Sequence, residues 1–115
     1  MNTILKGLRV IDLTRLLPGP YATLILSDFG AEIIKIEDTD MGDYLRGIPP
    51  MLTDNKGYLF EILNRNKKCL SLNLKNQKGV EILYELIRKA DIVCESFRPG
   101  VTEKLKIDFE TLKKI

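Results

Sequence analysis

The chain has 115 residues, enough for one domain or part of one with a modest core. Its 44% hydrophobic and 30% charged composition is that of a globular protein and excludes a disordered one. The near balance of 18 basic against 16 acidic residues gives no support for nucleic-acid binding, and the absence of histidine excludes any chemistry within this chain that needs imidazole.

The elements read off in chain order. Residues 8–13 (LRVIDL) form a β-rich run with neither face cleanly polar, as expected of a central strand covered on both sides. Pro18-Gly19-Pro20 punctuates a loop, and a helix is predicted over 20–29 with Ala22, Leu24, Ile25, Leu26 and Phe29 inward and Gly30 as its stop. A second strand follows at 32–37, completing a right-handed βαβ unit. Residues 38–56, rich in Gly, Pro, Asp and Asn, read as a long functional or mobile loop.

A short helix is predicted over 56–63, with Leu59, Phe60 and Leu63 inward, and Asn64–Lys68 reads as a solvated turn. The third strand spans 69–74, with Leu70, Leu72 and Leu74 on one face. Asn76 caps a helix over 77–89, whose stripe is Val80, Leu83, Ile87 and Ala90. A fourth strand at 91–95, the loop Ser96–Gly100 and short helices at 100–105 and 108–114 complete the pattern. The alternation predicts an α/β fold: a Rossmann-like parallel sheet with flanking helices. The chain ends in an uncapped apolar Ile115, which reads as the N-terminal part of a larger domain.

Cys69 and Cys94 are expected to be reduced, buried thiols of a cytoplasmic protein. No run reaches the roughly 18 apolar residues of a membrane span, and no signal-peptide segment opens the chain. No membrane partner is expected, and no metal set is apparent.

In open α/β sheets ligands bind beyond the carboxyl ends of the strands. Three segments lie there: 15–19, 37–43 and 96–100. Helix N-termini near Pro20 and Gly100 favour an anion, so a phosphate-bearing ligand suits this rim. Without GxGxxG or a Walker A sequence, it is not an ordinary NAD or P-loop site. Each signal alone has a plain structural explanation: Pro18-Gly19-Pro20 a tight turn, Phe97 a plug at the sheet end, Lys35 an edge residue.

Together the segments carry a resemblance. GLRVIDLT (7–14), PGP (18–20), DFGAEIIKIE (28–37), GD (42–43), NRNKK (64–68), LNLK (72–75), KAD (89–91) and ESFRPGV (95–101) resemble, in order and spacing, the opening of family III CoA-transferases. This is the CaiB/BaiF family, which includes formyl-CoA transferase and α-methylacyl-CoA racemase. LLPGPY (16–21) and FRPGV (97–101) look closer to the racemase-like branch.

The resemblance implies a partial CoA-binding domain over 1–115 that takes coenzyme A or acyl-CoA as substrate and holds no permanent cofactor. It implies CoA contacts at Leu17, Pro18, Leu72, Asn73, Leu74, Lys75, Ser96, Phe97, Arg98 and Lys104. Lys75, Arg98 and Lys104 suit phosphates. A family position often held by arginine is Asp38, which cannot bind phosphate as arginine would; Lys35 or Lys67 is expected to substitute. The family's nucleophilic aspartate lies downstream, and neither it nor the racemase histidine has a counterpart here, so no catalytic residue is assigned and the chain alone is expected to be inactive.

Three functions stay open at this point. One is the CoA-binding portion of an enzyme that moves CoA between carboxylic acids. A second is the same portion of a racemase, and a third is a non-catalytic CoA or nucleotide module. The family also implies an interlocked homodimer.

Overall fold

The computed structural model describes residues 3–115. Four parallel strands form one sheet: β1 (Arg9–Asp12), β2 (Glu32–Glu37), β3 (Lys68–Ser71) and β4 (Ile92–Cys94), in the order β3-β2-β1-β4. The α/β architecture and the order of four strands are as the alternation predicts, but β3 ends at Ser71, so Leu72 and Leu74 of the expected 69–74 strand lie in the loop after it. β1 pairs with β2 from Arg9↔Glu32 to Asp12↔Lys35, and with β4 from Val10↔Ile92 to Asp12↔Cys94. It is therefore central, and Val10, Ile11 and Asp12 are fully buried.

Period-two alternation sends β1 and β2 into two different cores. Ile11, Leu13 and Ile36 join Leu72, Leu83, Ile87 and Ile107 in the larger apolar cluster. Leu83 and Ile87 come from α3 (Gln77–Ile87), a strongly amphipathic helix with Val80 and Ala90 at its margins, as its stripe predicts. Asn76 does cap it, accepting from the Lys78 N–H at 2.9 Å. Asn76→Ala is therefore expected to cost about 1 kcal/mol. Urea denaturation would show it as a lowered midpoint with an unchanged slope.

The opposite face is different. Here β1 and β2 present Asp12, Lys35 and Glu37, all buried. The covering helix α1 (Pro18–Asp28) answers with polar side chains, burying Pro20, Thr23, Leu24 and Ser27. Its predicted inward set is therefore corrected: Ala22, Ile25 and Phe29 are exposed, because the buried face meets carboxylates and ammonium groups. Gly30 is the expected stop. Its φ of 101° is left-handed, and the Ala31 N–H closes the turn on the Leu26 carbonyl at 3.1 Å.

Two other expectations fail on this face. Lys35 is not an edge residue, since β2 lies between β1 and β3. The 64–68 turn is solvated only in part: Arg65, Asn66 and Lys68 are exposed, but Asn64 is buried and the Lys67 side chain is 0% exposed.

A single-turn 3-10 helix, η1 (Tyr44–Gly47), breaks the long 38–56 loop, and α2 (Tyr58–Leu63) follows it. Helices α4 (Val101–Leu105) and α5 (Phe109–Leu112) close the chain. Cys69 is exposed and Cys94 half-buried, both unpaired; neither is the fully buried thiol expected, because β3 and β4 are the sheet edges. Among the described residues no helix is long and apolar enough to cross a membrane.

Candidate functional site

All four strands are parallel, so their carboxyl ends share one rim, where a cleft of about 340 Å³ opens. That volume falls in the range of small-molecule sites. Leu13 and Arg15 follow β1, residues 36–41 end and follow β2, Leu72–Lys75 follow β3, and Phe97 follows β4; Tyr44 and Leu105 complete the wall. The strand order reverses between β1 and β4, the switch point at which doubly wound sheets hold ligands. The two loops meet there. The Arg15 guanidinium lies 5.8 Å from the centre of the Phe97 ring and 5.5 Å from that of Tyr44.

Arg15 also donates to the Tyr44 hydroxyl at 3.2 Å and stands 3.6 Å from Asp38 Oδ2. Asp38 Oδ1 is held by three backbone N–H groups, those of Asp40, Met41 and Gly42, at 2.9 to 3.0 Å. This is an anion nest filled by the protein's own carboxylate. Burial pushes the Asp38 pKa up, but those amides and Arg15 outweigh it and hold it below the ordinary value.

Under the rim a buried ionic frame fixes the loops. Lys35 Nζ donates to the Thr14 carbonyl at 2.8 Å and lies 2.9 Å from Asp43 Oδ2, both side chains 0% exposed. Beyond that ion contact Asp43 Oδ2 has no hydrogen-bond partner. Asp43 Oδ1 accepts from the Leu16 and Leu45 N–H groups at 3.1 and 3.0 Å. Leu16 has a φ of 64°, unusual for a residue with a side chain, and the Asp43 bond helps to hold it there.

A second knot ties α1 and the turn before β3 to β1. Asp12 accepts from the Thr14 N–H at 2.9 Å and from both threonine hydroxyls, Thr14 and Thr23. Lys67 Nζ reaches the Pro20 carbonyl at 2.9 Å, Thr23 Oγ1 at 2.8 Å, Asn64 Oδ1 at 3.0 Å and Asp12 Oδ2 at 3.3 Å. Burial lowers the Lys67 pKa despite its contact with Asp12. Glu37 takes Arg46 in a bidentate pair at 2.7 Å, and that guanidinium stacks on Phe60 at 3.9 Å. Burial pushes Glu37 upward, yet Arg46 and the Asp43 N–H hold it below the usual glutamate value.

These contacts correct two sequence expectations. Lys35 and Lys67 are sealed in the frame, so neither reaches a phosphate in place of Asp38. The α1 N-terminus is a poor anion site, because Pro18 and Pro20 lack N–H groups and Tyr21 N–H already donates to the Leu17 carbonyl.

Of the sequence-nominated residues, Leu72, Asn73, Leu74, Lys75 and Phe97 line the cleft together. Lys104 borders an adjoining groove with Lys106, and the two spaces share Leu74, Lys75 and Leu105. Leu17, Pro18, Ser96 and Arg98 are exposed and do not line the cleft. Sequence reading missed Tyr44 and gave no role to Arg15, for which the Pro-Gly-Pro loop was the available signal. Among the described residues no group of acidic, cysteine or histidine side chains is arranged to hold a metal.

A model of the family described as CoA-transferase family III matches residues 5–115. The chain belongs to CoA-transferase family III. It is 47% identical over 109 residues to acetyl-CoA:oxalate CoA-transferase of Acetobacter aceti, a match covering 95% of this chain and 28% of that enzyme. Succinyl-CoA:glutarate CoA-transferase of Mus musculus is 40% identical across 96% of the chain and 26% of its own length. A solved CAIB/BAIF family protein of Brucella suis superposes with a TM-score of 0.91 at 34% identity, over 99% of this chain and 31% of that one. The D175A mutant of Rv3272 from Mycobacterium tuberculosis gives 0.87 at 35% identity, covering 98% and 30%. This family III chain thus spans under a third of the length of these relatives.

Proposed function

We propose that the chain is the CoA-binding part of an enzyme that moves CoA between carboxylic acids. The observation that carries this is the cleft at the strand switch point of a chain whose family is CoA-transferase family III. In this reading Lys75 and Lys104 meet the phosphates, and Leu72, Leu74 and Phe97 pack on the apolar parts of the ligand. The Asn73 side chain shapes that segment by accepting from the Lys75 N–H at 3.0 Å. Leu17, Pro18, Ser96 and Arg98 serve ligand portions that extend beyond the cleft. Transfer is favoured over racemisation because the relatives above are transferases by name.

In this reading the cleft binds and does not attack: Glu37 is paired with Arg46, and Asp38 is held by three backbone amides and faces Arg15. The attacking carboxylate of family chemistry, which forms an acyl-enzyme anhydride and then an enzyme–CoA thioester, must come from other residues.

Calorimetric titration with CoA, with acyl-transfer and racemase assays on the same preparation, tests the proposal. CoA is expected to bind while the 115 residues alone turn nothing over. Absence of binding at millimolar CoA would sink the reading. Binding by a longer chain that only exchanged the α-proton would favour the racemase alternative.

A further inference from the structure

We propose that Tyr84 is a positioning residue for the CoA cleft: its hydroxyl fixes the corner after α4 that sets Leu105 and Lys104 in place. This deepens the CoA-binding reading and rests on it.

Lys106 caps α4 with φ 59° and ψ 38°, the left-handed conformation that helix ends usually give to glycine. A lysine adopts it at a cost, because its Cβ crowds the backbone. The corner is nonetheless pinned on both sides of the peptide that follows. The Ile107 N–H donates to the Thr102 carbonyl at 2.9 Å, and the Lys106 carbonyl accepts from the Tyr84 hydroxyl at 2.5 Å. Both polar atoms of the Lys106–Ile107 peptide are thus held, so its plane cannot turn while the two bonds last. Ile107 is buried in the larger apolar cluster, which anchors the chain just beyond.

Tyr84 lies on α3, 22 residues before Lys106 in the chain. It packs at the margin of the same cluster, as does Leu105. The hydroxyl is therefore delivered by a helix whose seat is set by the buried Leu83 and Ile87. Among the described residues no other hydrogen bond joins α3 to residues 101–107.

Tyr84 does not line the cleft, so within it the ring does not face the ligand. Leu105 lines both the cleft and the adjoining groove, and Lys104 lines the groove with Lys75. A corner free to turn would carry Leu105 out of the cleft wall and Lys104 away from the phosphates it meets in the CoA-binding reading. The hydroxyl thus acts on affinity through the backbone.

Calorimetry with CoA on the unmodified protein and on Tyr84→Phe, which removes only the hydroxyl, measures this. Affinity is expected to fall about three- to tenfold, the worth of one neutral hydrogen bond. Lys106→Gly supplies the rescue. Glycine enters the left-handed conformation freely, so the Ile107 bond and burial then suffice to hold the corner. In the Lys106→Gly background, Tyr84→Phe should therefore change affinity by less than about twofold. Comparison within that pair cancels any direct effect of the lysine charge, and thermal melts confirm that the variants fold.

Equal CoA affinity in the unmodified and Tyr84→Phe proteins, whatever the melting temperatures, would make the bond merely structural and overturn the inference. An equal loss in both backgrounds would show that the hydroxyl touches the ligand itself, and would overturn it too. So would loss of all binding in Lys106→Gly, which would place the role in the lysine ammonium. If CoA fails to bind the unmodified protein, the CoA-binding reading falls, and this inference with it.

Discussion

Lys35→Met is expected to destabilise the protein by about 3–5 kcal/mol, because it leaves the buried Asp43 carboxylate without its counter-charge. That is a large share of the 5–15 kcal/mol a domain typically has. Urea denaturation measures it directly. The effect should also exceed that of removing a surface pair such as Arg65–Asp28, whose side chains are 52% and 47% exposed. The double variant Lys35→Met/Asp43→Leu should recover much of the loss, since no isolated charge remains buried. A single-variant loss below about 1 kcal/mol would show that the interior solvates Asp43 by other means. Lys35 also holds the Thr14 carbonyl, and Asp43 the Leu16 N–H, so both changes should loosen the Arg15 loop.

Arg15→Ala is expected to weaken CoA binding by roughly 10- to 100-fold, the loss associated with a charged hydrogen bond to a ligand. Its guanidinium lies between the Phe97 and Tyr44 rings, so truncation also removes the bridge that joins the β1 and β4 sides of the cleft. Stability should change little, because the side chain is partly exposed and its ion contact with Asp38 is long. Arg15→Lys should restore charge but only part of the affinity, since an ammonium cannot stack as a planar guanidinium does. Titration of the three proteins with CoA decides the matter: equal affinities would remove Arg15 from the site.

The two variants separate the roles of two cationic side chains that look alike in the sequence. Lys35 lies between Ile34 and Ile36, and Arg15 between Thr14 and the apolar Leu16. One is fully buried and structural; the other sits at the mouth of the cleft.

The sheet was legible because its signals are local. Alternation through 9–12 and 32–37, a helical stripe at Leu83 and Ile87, and caps at Asn76 and Gly30 depend only on near neighbours along the chain. The rim location followed as well, since parallel strands joined by helices place all their carboxyl ends together. Leu72–Lys75 and Phe97 could be nominated from their motifs, and they do meet in one cleft.

The ionic frame was not legible. Asp12 and Lys67 are 55 residues apart, and Lys35 and Asp43 join a strand to a loop that has no periodicity. Nothing local says that a lysine in a β-run points at a buried carboxylate instead of water. The polar inner face of α1 was misread for the same reason: apolar residues were assigned inward, but the sheet face beneath them is charged.

By itself, then, the sequence determined the order of elements, the parallel sheet and the rim on which the strands' carboxyl ends gather. Tertiary structure alone decided which cations are sealed and which line the cleft, and that Asp38 fills its own nest of amides. The division is physical. Backbone propensity and periodicity act over a few residues, whereas the partner and solvent exposure of a charge depend on segments brought together only when the chain folds.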